Sequence, residues 1–148
     1  MPATPLTSSA HVMRKTLLAY LATAAALLVL DALWLGIIAQ PLYQRSIGHL
    51  MAEQPRWAAA AVFYGVYPLG LMRFALLPHR QDSAMGPTLS AAGLFGFFAY
   101  ATYDLSNLAT LRDWPVGVSL IDIAWGSVVS TASAAAGKLV LDRVSAAR

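Results

Sequence analysis

The sequence contains no cysteine, which excludes disulfides, thiolate metal ligands, iron–sulfur clusters and cysteine nucleophiles. Charged residues are scarce, at 11% of the 148 residues, whereas 58% are hydrophobic and the mean hydropathy is +0.59. A soluble domain carries about 25% charged residues and alternates apolar with polar faces. The composition therefore indicates a membrane protein, and the lipid bilayer is its expected partner.

Several catalytic and binding motifs are also missing. The chain has no His-Glu-x-x-His, no glycine-rich phosphate loop and no Gly-x-Ser-x-Gly. The histidines lie in flanks or loops, at His11, His49 and His79, so we expect neither a metal site nor haem ligation, and any other cofactor stays unknown. Scattered basic residues, without interleaved aromatics, argue against nucleic acid as a partner.

Four long apolar segments predict transmembrane helices over about 16–39, 57–77, 88–111 and 116–141. Each exceeds the ~20 residues that a bilayer core requires. Pro68 lies within the second segment, where a kink would leave a carbonyl in need of a partner. The predicted fold is all-α, a four-helix transmembrane bundle with tails over 1–15 and 142–148.

The distribution of basic residues favours a cytoplasmic location for both termini. In that orientation the outer loops hold only Arg45, Arg56 and Arg112, and the other basic residues lie inside or near the inner boundary. We therefore predict a multi-pass protein of the bacterial inner membrane. An alternative for the N-terminus is a signal peptide, although the apolar run over 16–39 is long for one.

The first outer connection, over 40–56, is the longest. Its apolar residues recur at spacings that form one face if the segment is helical: Leu42, Tyr43, Ile47, Leu50 and Met51. Such a helix would lie flat on the outer surface. An ordinary loop with a few apolar contacts explains the same residues.

Three aspartates interrupt the apolar segments. A rise of ~1.5 Å per residue places Asp31 and Asp104 about two-thirds of the way outward, and places Asp122 about 9 Å below the outer boundary. Tyr64 falls at the same depth. Charge at such depth costs at least ~2.5 kcal/mol, so each carboxyl should face the bundle interior, find a partner or be protonated.

Helix dipoles distinguish the three aspartates. Asp31 and Asp104 lie toward the C-terminal ends of their helices, where the dipole disfavours negative charge, whereas Asp122 lies toward an N-terminus. Ser119 precedes Asp122 by three residues, a spacing that resembles a helix cap and offers a structural reading of Asp122. For Asp31 and Asp104 the structural reading is a hydrogen bond that fixes helix packing.

Aromatic and amide side chains accompany the aspartates at helical spacing. Trp34 follows Asp31 by three residues and Trp125 follows Asp122 by three, while Tyr100, Asp104 and Asn107 share a face next to Tyr103. These neighbours predict one ligand-binding site formed by Asp31, Trp34, Tyr64, Tyr103, Asp104, Asn107, Asp122 and Trp125. Arg45 and His49 in the outer loop are candidate counter-charges. An interfacial aromatic belt is the alternative reading of the tryptophans.

The chain resembles the bacterial membrane-protein family of domain of unknown function 2177. The resemblance covers residues 18 to about 137 and rests on four motifs: Leu-Asp-Ala-Leu-Trp-Leu-Gly at 30–36, Gly-His-Leu-Met at 48–51, Phe-Ala-Tyr-Ala-Thr-Tyr-Asp-Leu-Ser-Asn-Leu-Ala-Thr-Leu at 98–111 and Asp-Ile-Ala-Trp-Gly at 122–126. It implies a four-helix membrane protein and supplies no activity, substrate or cofactor.

Three functions fit these features. The first is binding or transport of a cation, a proton or a cationic amphiphile, because carboxylates with aromatic walls suit positive ligands. The second is a small intramembrane enzyme acting on a lipid or isoprenoid, with one carboxyl as acid and another as base. The third is an accessory or structural subunit, and a homodimer or a membrane partner is left open.

Overall fold

The computed structural model describes residues 5–146 and the side chains of residues 9–144, and every regular element in this part of the chain is helical. The helices are α1 (Pro5–Leu33), α2 (Gln40–Ile47), α3 (Trp57–Leu71), α4 (Gly86–Thr110) and α5 (Val116–Ala146). A π-helical turn extends α1 over Trp34–Ile38 and another extends α3 over Met72–Leu76; a 3-10 turn, Gly48–Leu50, follows α2. The all-α class is confirmed.

Three helical segments among the described residues are long and apolar enough to cross a membrane: Ser9–Ile38, Trp57–Leu76 and Val116–Val144. Large apolar side chains on their outward faces are exposed, among them Leu28, Val66 and Val128, as contact with lipid requires. The fourth predicted span corresponds to α4, which has sufficient length at 25 residues. Its C-terminal half is rich in tyrosine, threonine, serine, asparagine and aspartate, and these residues lower its hydropathy.

α5 packs against α1 on one side and α4 on the other, and both neighbours run antiparallel to it. Glycines allow the closest approaches. A Cβ on Gly96 of α4 would lie 2.1 Å from the Gly126 carbonyl oxygen of α5, and one on Gly137 would lie 2.1 Å from Thr23 Oγ1 of α1. The buried core lies between these helices and the end of α3, and includes Leu27, Leu71, Leu76, Ala92 and Val129.

Pro68 lies inside α3 and cannot donate a backbone hydrogen bond. In the preceding turn, the Gly65 carbonyl accepts a hydrogen bond of 3.0 Å from the Tyr20 hydroxyl of α1. The π-helical turn at Met72–Leu76 follows within one turn of the proline and packs against α4. Pro68 leaves the Tyr64 carbonyl without its helical donor, and Tyr20 of α1 donates to the neighbouring Gly65 carbonyl; the kink itself stays a prediction.

The connection between α3 and α4 is tied to α5 by a buried lysine. Lys138 is fully buried, and its ammonium donates to the Asp82 carbonyl and to Asp142 Oδ1, both at 2.7 Å. A lysine buried in this way needs such acceptors, because an unpaired ammonium would be costly. These bonds fix the end of the helices that lies farthest from the three aspartates.

The segment after α1 is helical, as one of the two sequence interpretations predicted. In α2, Tyr43 is buried at 8% exposure, and Leu42 and Ile47 pack around it. This face contacts Trp114 and Val118, at the start of α5. Leu50 and Met51 remain exposed. The amphipathic face thus packs onto the protein and anchors α2 there.

We expect Gly96→Ala to lower the thermal unfolding midpoint of the detergent-solubilised protein. The added methyl group would meet the Gly126 backbone of α5 as well as Ser130 Oγ, and a backbone cannot move aside as a side chain can; overpacking of this kind costs about 1–3 kcal/mol. Gly65→Ala is the matched control, because a Cβ there has no neighbour within 4 Å. Circular dichroism would measure both, and equal midpoints for the two variants would contradict the close α4–α5 contact.

Candidate functional site

Asp31 is buried at 3% exposure on α1, in the last turns before the π-helical segment. Its Oδ1 accepts a hydrogen bond of 3.0 Å from the Trp125 indole of α5. The Tyr64 hydroxyl of α3 also interacts with this carboxyl. An indole donor from α5, with the Tyr64 hydroxyl of α3 nearby, therefore faces the carboxyl that the sequence placed against its helix dipole.

Asp122 is the second buried carboxyl, at 8% exposure on α5. Its Oδ1 accepts a hydrogen bond from the Tyr43 hydroxyl of α2, and the same hydroxyl accepts a hydrogen bond of 3.1 Å from the Trp34 indole. Burial and the adjacent carboxylate raise the pKa of Tyr43, so the phenol stays protonated and donates to Asp122. Trp34, Tyr43 and Asp122 therefore form a hydrogen-bonded chain across three elements.

The two tryptophans stack on each other, with ring centroids 4.3 Å apart and planes inclined by 5°. The result is a crossed arrangement between α1 and α5. Trp125 of α5 donates to Asp31 of α1, and Trp34, in the π-helical extension of α1, reaches Asp122 of α5 through Tyr43. The two Asp-x-x-Trp motifs thus form one structure, and the aromatic-belt reading does not explain their indole hydrogen bonds.

A cavity of about 510 Å³ opens beside this network, and we call it the acidic aromatic cavity. Asp31 and Asp122 are its acidic groups, and none of the described residues that line it is basic. Its aromatic wall consists of Trp34, Tyr43, Phe63, Tyr64, Tyr100, Tyr103, Trp114 and Trp125. The cavity therefore combines two carboxyls with aromatic ring faces.

Asp104 lies next to this cavity and does not line it. Its carboxyl is fully buried, and neither oxygen reaches hydrogen-bond geometry with a described residue. The Ser119 hydroxyl lies beside it and accepts a 3.0 Å hydrogen bond from the Trp114 indole. Asn107, the other predicted α4 residue outside the cavity lining, contacts the Tyr103 hydroxyl.

The structure brings most of the predicted site residues together: Asp31, Trp34, Tyr64, Tyr103, Asp122 and Trp125 line the cavity. The predicted counter-charges do not take part, because Arg45 and His49 are not among the residues of its lining. Sequence reasoning missed Tyr43 and Trp114 as site residues. For Tyr43, the sequence indicated only a place on the apolar face of the segment that forms α2. For Trp114, in a short connection, it gave no indication of a site.

The cap reading of Asp122 is wrong. α5 begins at Val116, and Ser119 lies inside its first turns, with its backbone amide bonded to the Pro115 carbonyl. The Ser119 hydroxyl accepts a hydrogen bond from the Trp114 indole, and Asp122 accepts one from the Tyr43 hydroxyl. Asp122 therefore belongs to the network rather than to the helix terminus.

Comparison with known families identifies the class of this protein. Residues 16–139 match a family model described as "Predicted membrane protein (DUF2177)". The chain belongs to this family, and the resemblance stated from its motifs is confirmed. No curated protein and no solved structure matches the chain. Among the described residues, no three His, Asp or Glu side chains are grouped so that they could hold a metal ion.

We expect Tyr43→Phe to destabilise the protein by about 1–3 kcal/mol, because it leaves the Asp122 carboxylate and the Trp34 indole without a partner. Tyr103→Phe is the control, since Tyr103 lines the same cavity and is 57% exposed. Thermal unfolding in detergent, followed by tryptophan fluorescence, would compare the two. A Tyr43→Phe protein as stable as Tyr103→Phe would show that the bridge contributes nothing.

Proposed function

We propose that this membrane protein binds an organic cation in the acidic aromatic cavity. The observation that carries the proposal is the pairing of two carboxyls with aromatic walls and no basic residue in one cavity. An ammonium group there would meet carboxylate oxygens and ring faces together. Cation–π attraction reaches about 2 kcal/mol when the partners are desolvated, and a membrane-embedded cavity provides such conditions.

The size of the cavity favours an organic cation over a proton or a metal ion. A water molecule occupies about 30 Å³ of the liquid, so the 510 Å³ cavity exceeds the volume of a bare ion many times. Calcium takes about 6–8 oxygen ligands, whereas the carboxyls of Asp31 and Asp122 already accept indole and phenol hydrogen bonds. Ring faces suit an alkylated ammonium, which has few protons to donate.

A structural role is the second candidate function. The hydrogen bonds of Asp31 and Asp122 join α1, α2 and α5, and such bonds could serve only to hold the helices together. Asparagine separates the two roles. Its side-chain oxygen still accepts the Trp125 or Tyr43 hydrogen bond, but the negative charge is lost.

We expect Asp31→Asn and Asp122→Asn each to weaken binding of tetramethylammonium at least tenfold, about 1.4 kcal/mol, because each removes a charge from the cavity wall. Tryptophan fluorescence of the purified protein would report binding, since Trp34, Trp114 and Trp125 line the cavity. Asp113→Asn is the control, because Asp113 is exposed in the connection between α4 and α5.

Wild-type protein that does not respond to tetramethylammonium would overturn the proposal. Normal binding with only the unfolding midpoint lowered in both asparagine variants would favour the structural role. An unchanged Asp113→Asn variant is needed in either case, since it shows that loss of one surface carboxylate does not affect the measurement.

We further propose that α4 is a fourth span in the bacterial inner membrane, with both termini cytoplasmic. Its 25 residues extend for about 37 Å, which exceeds the ~30 Å hydrocarbon core. It packs along α5, a helix that is apolar enough to span, so the two should cross the bilayer together. Only three of the ten arginines and lysines lie in the connections 40–56 and 111–115, and the other seven lie in the tails or toward the opposite ends of the helices, which supports an outer location for both connections.

The absence of cysteine permits a direct topology measurement. We expect a membrane-impermeant maleimide added to intact cells to label Arg112→Cys and not Ser83→Cys, because both residues are exposed but lie at opposite ends of α4. Permeabilised cells should show labelling of both variants. Equal labelling of the two in intact cells would contradict α4 as a span.

A further inference from the structure

An apolar groove leads away from the acidic aromatic cavity between α3 and α4. It consists of two adjoining cavities of about 430 and 610 Å³, which share Phe63, Tyr67 and Ala99 in their walls. We call this feature the α3–α4 groove. It exists because α3 contacts α4 chiefly through the π-helical turn at its C-terminal end, which leaves the N-terminal part of α3 apart from α4.

The groove and the acidic aromatic cavity are continuous. Phe63, Tyr100 and Tyr103 line both the acidic aromatic cavity and the first part of the groove. The same three rings therefore form the passage from the charged end to the apolar end. A ligand longer than an ammonium group would extend from the carboxyls past these rings into the groove.

The walls of the groove are largely apolar. Val62, Val66, Leu69 and Phe74 line it from α3 and its π-helical extension, and Phe95 and Ala99 line it from α4. Arg73 is the one charged residue among the described residues of this lining; it lies at the end farthest from the carboxyls, with its guanidinium 5.8 Å from the Phe74 ring centroid. The Tyr67 hydroxyl is turned away toward α5, where it lies 2.7 Å from Ser130 Oγ. Ala59 and Phe74, at the two ends, are separated by about 22 Å of helix, which is most of the ~30 Å core.

We propose that the ligand is a cationic amphiphile whose ammonium head occupies the acidic aromatic cavity and whose single alkyl chain lies in the α3–α4 groove. This inference rests on the proposed cation binding and adds the class of ligand. The carboxyls require a positive head, and the continuous apolar groove accepts a chain that runs parallel to the helices. A lipid tail in the surrounding bilayer runs in the same direction.

The experiment compares two cations that differ in chain length. We expect dodecyltrimethylammonium to bind the purified protein, in a non-ionic detergent, at least tenfold more tightly than tetramethylammonium. Ala99→Phe should remove this difference, because a ring at Ala99 fills the point shared by both parts of the groove. The same variant should bind tetramethylammonium normally, which also shows that it is folded.

Ala25→Phe is the matched control, because Ala25 is exposed on α1 and lines neither the groove nor the acidic aromatic cavity. Ala25→Phe should still bind dodecyltrimethylammonium more tightly than tetramethylammonium. Partition of the long-chain cation into detergent micelles is the same for both variants, so this control shows that micelles do not cause the difference. If Ala99→Phe fails to fold, Val66→Phe on the α3 wall takes its place.

The outcomes separate the two proposals. Two results would overturn the proposal of an amphiphilic ligand and leave the proposal of cation binding intact. One is equal affinity for the two cations, and the other is tighter binding of the long-chain cation that persists in Ala99→Phe. Binding of neither cation by the wild-type protein would overturn both. Loss of the difference in the groove variant alone would support the amphiphile.

Discussion

The structure depends on hydrogen bonds that join its helices through two buried carboxyls, Asp31 and Asp122. Asp104, the third, has no hydrogen-bond partner among the described residues. No lysine or arginine among the described residues lines the cavity beside Asp31 and Asp122. Their carboxyls accept hydrogen bonds from an indole and a phenol instead. Such donors neutralise no charge. Hydrogen-bond donors of this kind leave the two carboxyls without a cationic partner among the described residues, and the proposed cation binding rests on this feature.

Close packing elsewhere makes this arrangement possible. Gly126 follows Trp125 by one residue, and a Cβ there would come within 2.3 Å of the Tyr100 ring. Gly96 lets α4 approach the same turn of α5. These glycines therefore allow α4 to pack closely against α5, which places the Tyr100 ring in the cavity wall. Space remains open on the side of α3. The site and the groove have their origin in this uneven packing.

Features that depend on depth and helical period were predictable from the sequence. Hydropathy and length predicted the helices, and helical rise placed Asp31, Tyr64 and Asp122 at one depth, where they now line one cavity. Contacts that depend on how α2 folds back were not predictable. Tyr43 reaches Asp122 across 79 residues of chain, and no local pattern encodes such a distance. Arg45 and His49 lie outside the cavity lining, and the carboxyls have aromatic donors that charge patterns in the sequence do not reveal.

Trp34 and Trp125 stack on each other, and each belongs to an Asp-x-x-Trp motif on one of two antiparallel helices, α1 and α5. A rotation of 180° about an axis between the helices would place one motif approximately on the other. Tyr43 breaks this symmetry. Asp31 receives its indole directly from a neighbouring helix, whereas Asp122 depends on a phenol from α2, outside the three apolar spans. A displacement of α2 would therefore remove the phenol donor of Asp122 and leave the indole donor of Asp31 in place, so the two carboxyls depend on different parts of the fold.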